Sequence, residues 1–162
     1  MVGIGYDIHQ LVPNRKLFLG GIQVDFPKGL AGHSDGDVLI HAICDALLGA
    51  ANLGDIGMHF PPDDARYKNI SSLKLLKSVS KFLENSGHMV KHIDTVVIAE
   101  KPRISPLIED MKTAIAHTIG ISSDAISIKG KTNEGLGDIG AEKAIAAWAI
   151  CEIGRIYVTP ER

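Results

Sequence analysis

The chain has 162 residues, 45% of them hydrophobic and 22% charged, with a formal net charge of −2. That composition suits one globular domain over residues 1–162, and its scattered charges offer no basic stripe to nucleic acid. No apolar run approaches the ~18 residues that span a membrane, no basic leader precedes an apolar stretch, and Cys44 and Cys151 form no C-x-x-C, so a cytoplasmic protein without a membrane or nucleic-acid partner is expected.

Val2, Ile4, Tyr6 and Ile8 alternate with Gly3, Gly5, Asp7 and His9, the period of a strand with one buried face. Asp7 and His9 then project from the same side, roughly 7 Å apart at their Cα atoms. Lys16 to Val24 reads as a hairpin turning at Gly20-Gly21, and Lys28 to Asp37 as a glycine-rich loop delivering His33 and Ser34. The apolar run from Val38 predicts a helix to about Ala51, capped by Ser34 or Asp35. Asp55 to Ile70 holds Pro61 and Pro62 and no period, which predicts a mobile flap. Ser71 to Ser86 is an amphipathic helix on Leu73, Leu76, Val79 and Leu83, stopped by Gly87. His92 to Ala99 reads as a strand, and Ser105-Pro106 as the cap and first residue of a helix to Ile119. Ala125 to Lys129 is strand-like and leads into Lys131–Gly135, while Ala144 to Ile153 fits helix or strand by pattern alone. This order predicts an α/β sandwich, with helices on one face of a sheet.

The chemistry lies in the first third. His41, on the predicted helix, joins Asp7 and His9 to offer a divalent metal three ligands and an open position, the make-up of a catalytic zinc site. Asp37, His41 and Asp45 recur at i, i+4 and i+8 on an otherwise apolar helix. Buried charge needs partners, and carboxylates hydrogen-bonded behind a metal would have them. Gly32-His33-Ser34-Asp35-Gly36 fits the G-x-S-x-G elbow of serine hydrolases, and also a loop offering amides and His33 to a phosphate. Lys131-Thr132-Asn133-Glu134 suits a phosphate held through Mg²⁺ or Mn²⁺, or a solvated turn. Asp55-Ile56-Gly57 reads as a sugar-hydroxyl contact or a simple turn, and His59, His88, His92 and His117 lack spacing partners.

Four motifs together resemble the 2-C-methyl-D-erythritol 2,4-cyclodiphosphate synthases: G-Y-D-I-H from Gly5, H-S-D-G-D-V-x-x-H-A-x-x-D-A-L-L-G-A from His33, G-D-I-G-x-x-F-P from Gly54 and K-T-N-E-G-L-G from Lys131. The resemblance implies a small α/β sandwich with a mixed sheet, three subunits packing their sheets around a three-fold axis, and a strand at Ala144–Ile153. It implies zinc on Asp7, His9 and His41, and a second cation, Mg²⁺ or Mn²⁺, on Glu134. His33 and Ser34 would meet the substrate phosphates, with His33 and Thr132 catalytic. Asp55 and Gly57 would lie at the ribose, with Ile56, Phe60 and Asp64 also binding substrate. Ala99, Glu100, Lys101, Pro102, Arg103, Ile104 and Ser105 would hold the cytosine, and Lys131, Thr132, Asn133 and Glu134 the diphosphate of a cytidine diphosphate substrate. A metal-dependent phosphoester hydrolase and a non-catalytic nucleotide-binding trimer are the alternative readings of the same residues.

The chain departs from the family pattern in two places. Pro62 stands where an Asp is usual, and Asp138–Lys143 replaces the common F-T-G-R-G-E run. In relatives with that run the resemblance implies an axial channel whose arginines hold an isoprenoid diphosphate. Ala141 takes the arginine position here and Lys143 the glutamate position, which predicts the two on one strand face and weak binding of such a ligand.

Overall fold

The computed structural model describes residues 1–156. The strands are β1 (Val2–Pro13), β2 (Leu17–Leu19), β3 (Ile22–Val24), β4 (Lys28–Leu30), β5 (His88–Ile98), β6 (Ile126–Lys131) and β7 (Ala144–Arg155). The helices are α1 (Val38–Ala50), α2 (Ile56–His59), α3 (Ser72–Asn85), α4 (Ile108–Ile119) and α5 (Gly137–Gly140). A mixed five-stranded sheet runs β4-β1-β7-β5-β6, parallel only between β5 and β6, and β2-β3 is a separate hairpin turning at Gly20-Gly21. Helix α1 lies across β1 and β7, α3 contacts α1, α4 and β5, and α4 reaches β6. Their shared core is Leu, Ile, Val and Ala with Met111, Cys44 and Cys151. No helix of the described residues is long and apolar enough to cross a membrane.

The buried face of β1 is the glycine face, not the apolar one. An ideal Cβ on Gly3 would lie 2.1 Å from the Ala46 carbonyl oxygen. With no side chain at Gly3 or Gly5, and alanines at positions 42, 46 and 50, the α1 backbone settles directly onto the strand. Val2, Ile4, Tyr6 and Ile8 therefore point to the other side of the sheet. There they remain exposed, with Tyr6 against Trp148 at 4.5 Å between ring centroids.

Asp37 caps α1, not Ser34 or Asp35. Its carboxylate accepts the Ile40 N–H at 3.1 Å and also the Gly20 and Gly21 N–H groups at 2.9 and 2.7 Å, so it pins the hairpin turn to the helix start. Burial pushes this carboxyl up from its ordinary range, the Asp35 charge adds to that, and the three N–H groups oppose it. The polar stripe on α1 is thus divided. Asp45 accepts the Ile56 N–H at 2.7 Å, and only His41 faces Asp7 and His9.

Other boundaries shift for local reasons. Asp55–Ile70 is not featureless: Asp55 caps α2 and Asp64 caps a 3₁₀ turn at Ala65–Tyr67. Strand β5 starts at His88, directly after the Gly87 turn, because Met89 and Val90 pair with Gly154 and Ile153 before a bulge. Ser105 does not cap α4; Ser105–Leu107 forms a 3₁₀ turn and the α-helix opens at Ile108. Ala144–Ile153 is strand, as the resemblance implies, and extends to Arg155. Ala141 and Lys143 do not share a strand face, since Ala141 caps the end of α5 and Glu142 takes a left-handed φ of +56° before β7 begins.

Candidate active site

Asp7 and His9 leave β1 on the α1 side, where His41 meets them one turn into that helix. Asp7 Oδ2 lies 2.8 Å from His9 Nε2 and 3.0 Å from His41 Nδ1, and the two ring nitrogens are 3.3 Å apart. The other His9 nitrogen, Nδ1, donates to the Ala31 carbonyl, so Nε2 keeps its lone pair for the cluster. Burial opposes ionisation of Asp7, but the adjoining His41 and His9 rings outweigh it and hold the carboxyl far below the usual carboxylate range. Burial lowers His9 less than Asp7 and the Ala31 carbonyl raise it, so its pKa lies above the ordinary value. Among the described residues these side chains form the one group able to share a metal ion, with all ligand atoms within 4.8 Å of one another. Two imidazoles and a carboxylate facing one point suit a divalent metal.

A cavity of about 230 Å³ opens beside this cluster, lined by His9, His33, Ser34, His41, Ile56, Gly57, Phe60, Pro62, Tyr67 and Leu75. Four hydrogen bonds hold the loop that delivers His33 and Ser34. Arg15 donates to the carbonyls of Gly32 and Ser34 at 3.2 and 2.5 Å, Asn69 N–H donates to the His33 carbonyl at 2.8 Å, and Asp35 N–H to that of Ile70 at 3.0 Å. His33 Nε2–H donates to the Asp64 carbonyl at 3.2 Å. The Asp64 carboxylate is turned to Arg66, so Asp64 lies next to the cavity without lining it. Asp55 accepts the Met58 N–H and is likewise outside the lining. Pro62 gives this cavity an apolar wall.

A second cavity, of about 200 Å³, is lined by Ala99, Glu100, Pro102, Arg103, Ile104, Ser105, Gly130, Lys131 and Thr132. Strands β5 and β6 end side by side, so the loops after them face each other. Glu100 Oε1 accepts the N–H groups of Asn133 and Gly135 at 2.8 and 3.1 Å, tying the two loops. Thr132 Oγ1 donates to Glu134 Oε1 at 3.1 Å, and Glu134 takes a φ of +51°. Lys101 turns away to Glu142, at 3.1 Å. Glu134 is not part of the Asp7–His9–His41 group, and the two cavities share no lining residue.

Sequence reasoning missed Arg15, Asp35 and Ser72 as supports of the site. Ser72 lies 3.0 Å from His41 Nε2 across a separation of 31 residues, a distance in sequence that no spacing pattern encodes.

Comparison with known proteins decides the family. The profile of the YgbB family matches residues 1–154. The chain belongs to that family. A relative from Clostridium botulinum, named 2-C-methyl-D-erythritol 2,4-cyclodiphosphate synthase, is 51% identical over 94% of this chain and 97% of its own length. One of the same name from Clostridium acetobutylicum is 53% identical over 93% of this chain and 97% of its own. Among solved structures, the CDP complex of Plasmodium falciparum IspF is 33% identical, covers 96% of each chain and superposes with a TM-score of 0.85. The bifunctional IspDF of Campylobacter jejuni gives 0.92 at 38% identity, over 96% of this chain and 42% of that one. The four motifs of this sequence carry the site: the metal cluster comes from the first two and the second cavity ends on the last.

Proposed function

We propose that the protein converts 4-diphosphocytidyl-2-C-methyl-D-erythritol 2-phosphate to 2-C-methyl-D-erythritol 2,4-cyclodiphosphate and CMP, as a cyclising phosphorus–oxygen lyase of isoprenoid synthesis. The observation that carries this reading is the convergence of Asp7, His9 and His41 beside a cavity, in a chain about half identical to the synthases over nearly its whole length.

An oxygen of the 2-phosphate bonds to the β-phosphorus as the bond from that phosphorus to the α-phosphate oxygen breaks, and CMP leaves with the electron pair. The attacking group is already an anion, so no general base or enzyme nucleophile is required. Asp7, His9 and His41 would hold zinc, which would supply positive charge for phosphate oxygens. Ser34 offers a hydroxyl donor to the same oxygens, and His33, at the Asp64 carbonyl, and Thr132, against Glu134 at the other end of the diphosphate, would give theirs once phosphate replaces those acceptors. Glu134 would offer its carboxylate to Mg²⁺ or Mn²⁺, which would offset charge on the diphosphate. Ile56, Gly57 and Phe60 wall the sugar, with Asp55 at the ribose, and the cavity under Ala99–Ser105 takes the base. Holding both phosphates of one ligand makes the attack intramolecular, with the large effective molarity that brings.

The working assembly is a homotrimer whose sheets face a three-fold axis. Its support is the exposed apolar sheet face: Val2 at 66%, Ile4 at 63% and Ile150 at 48% exposure, with Tyr6, Ile8 and Trp148 beside them. Two separate cavities within one chain favour a complete site built from neighbouring subunits, the metal half from one and the nucleotide half from the next. Two free, buried cysteines suit a reducing cytoplasm.

The test is an assay that follows CMP and cyclic product together, with and without chelator. Equal release of both, abolished by chelator and restored by zinc, is expected. An open-chain diphosphate in place of the cycle would make the protein a hydrolase, and no turnover with intact binding a nucleotide carrier.

A further inference from the structure

Behind His41, on the side away from Asp7, lies a chain of hydrogen bonds that no spacing pattern announces. Asp35 Oδ2 accepts the Ser72 backbone N–H at 2.9 Å, Asp35 Oδ1 accepts the Asp37 N–H at 3.2 Å, and the Ser72 hydroxyl also sits against Oδ1. An ionised carboxylate has no proton to give, so the one proton of the Ser72 hydroxyl is committed to Asp35. Ser72 is completely buried, and its oxygen can offer His41 Nε2, 3.0 Å away, only lone pairs. The ring proton of His41 is thereby drawn to Nε2, and Nδ1 is left with a lone pair 3.0 Å from Asp7 Oδ2.

A competing arrangement is close at hand. Asp7 is itself a good acceptor, and without Ser72 it would pull the proton to Nδ1, the nitrogen a metal needs bare. Ser34 cannot decide between the two. Its hydroxyl, also 3.0 Å from His41 Nε2, both donates and accepts, and it already takes the Gly36 N–H at 3.2 Å. With the Nε2 proton supplied by the ring, the Ser34 proton is left for the cavity that Ser34 lines.

We propose that Asp35 and Ser72, neither of which touches the metal position, are positioning residues that hold His41 in the tautomer presenting Nδ1 to the metal. The inference rests on the metal reading of Asp7, His9 and His41, and its test separates the two. Zinc affinity is measured by competition with a chromophoric chelator in the wild type, Ser72→Ala, Ser72→Thr and Asp35→Asn. The His41 tautomer is read by nitrogen NMR of the imidazole rings in metal-free protein at mildly alkaline pH. In the wild type the proton is expected on Nε2. Ser72→Ala should move it to Nδ1 and weaken zinc about 10–100-fold, a loss typical of groups that orient a metal-bound histidine. Ser72→Thr, which keeps the hydroxyl, should restore both readings, and Asp35→Asn should weaken zinc in the same direction. Wild-type affinity with an Nε2 proton in Ser72→Ala would overturn the inference, as would an Nδ1 proton in the metal-free wild type. Should Ser72→Ala fail to fold, the wild-type tautomer and Asp35→Asn decide. Undiminished zinc binding by His41→Ala would instead overturn the metal reading beneath it.

Discussion

The backbone of Gly5 and the carbonyl of Ala42 leave no room between them: an ideal Cβ on Gly5 would lie 2.0 Å from the Ala42 oxygen. That contact sets how closely His41, one residue before Ala42, approaches Asp7, two residues after Gly5. Gly5→Ala should therefore push α1 off β1, lowering stability by about 1–3 kcal/mol as overpacking does. It should also weaken zinc although every ligand is present. Denaturant unfolding and chelator competition measure the two effects, and unchanged values in both would show that the close approach does not build the site.

Removing a ligand acts differently. His41→Ala takes away one of three donors but leaves the close packing of α1, so circular dichroism should match the wild type while zinc content and turnover fall to background. Full zinc occupancy in purified His41→Ala would refute the ligand assignment.

The exposed sheet face gives an assembly prediction. Ile150→Glu places a charge on an apolar face that a trimer would bury, and should yield monomers by sedimentation while the metal cluster, on the opposite side of the sheet, persists. A trimer that tolerates this substitution would have its interface elsewhere.

If sites are shared between subunits, His9→Ala and Glu134→Ala chains are each inactive alone yet complementary. Co-refolded mixtures should regain part of the activity at interfaces that bring an intact metal half to an intact Glu134. Verified mixed trimers without recovery would place each site inside one chain.

Binding of an isoprenoid diphosphate near Lys143 should be weak. Ala141 offers no guanidinium fork, and the Lys143 ammonium lies 3.7 Å from Asp138, which offsets its charge. Farnesyl diphosphate should leave the melting temperature almost unchanged; strong, saturable stabilisation would contradict this.

The metal cluster was legible in the sequence because its signals are short-range. A period of two put Asp7 and His9 on one side of a strand, and an apolar run put His41 on a helix. The burial of β1 was misread because glycines carry no hydrophobic signal; their role exists only once α1 lies on them. Asp37 looked like a partner of the metal site because it shares a helix face with His41, but its partners are hairpin amides that stand 16 and 17 residues earlier in the chain. Ser72 and Arg15 gave no sign, since what they hold is decided by the folding of distant loops onto one another. The exposed sheet face gave no sign either, since by pattern Val2, Ile4, Tyr6 and Ile8 read as the side turned to the core.

Glu100 offers a last consequence. Because one carboxylate fastens both Asn133 and Gly135, the base cavity and the turn carrying Thr132 and Glu134 form a single rigid jaw rather than two hinged lips. A rigid jaw measures length. If the cavity takes the nucleobase as proposed, the gap from it to a phosphate at Thr132 is set before any ligand arrives, and a nucleotide with a different number of phosphates would meet a gap of the wrong length.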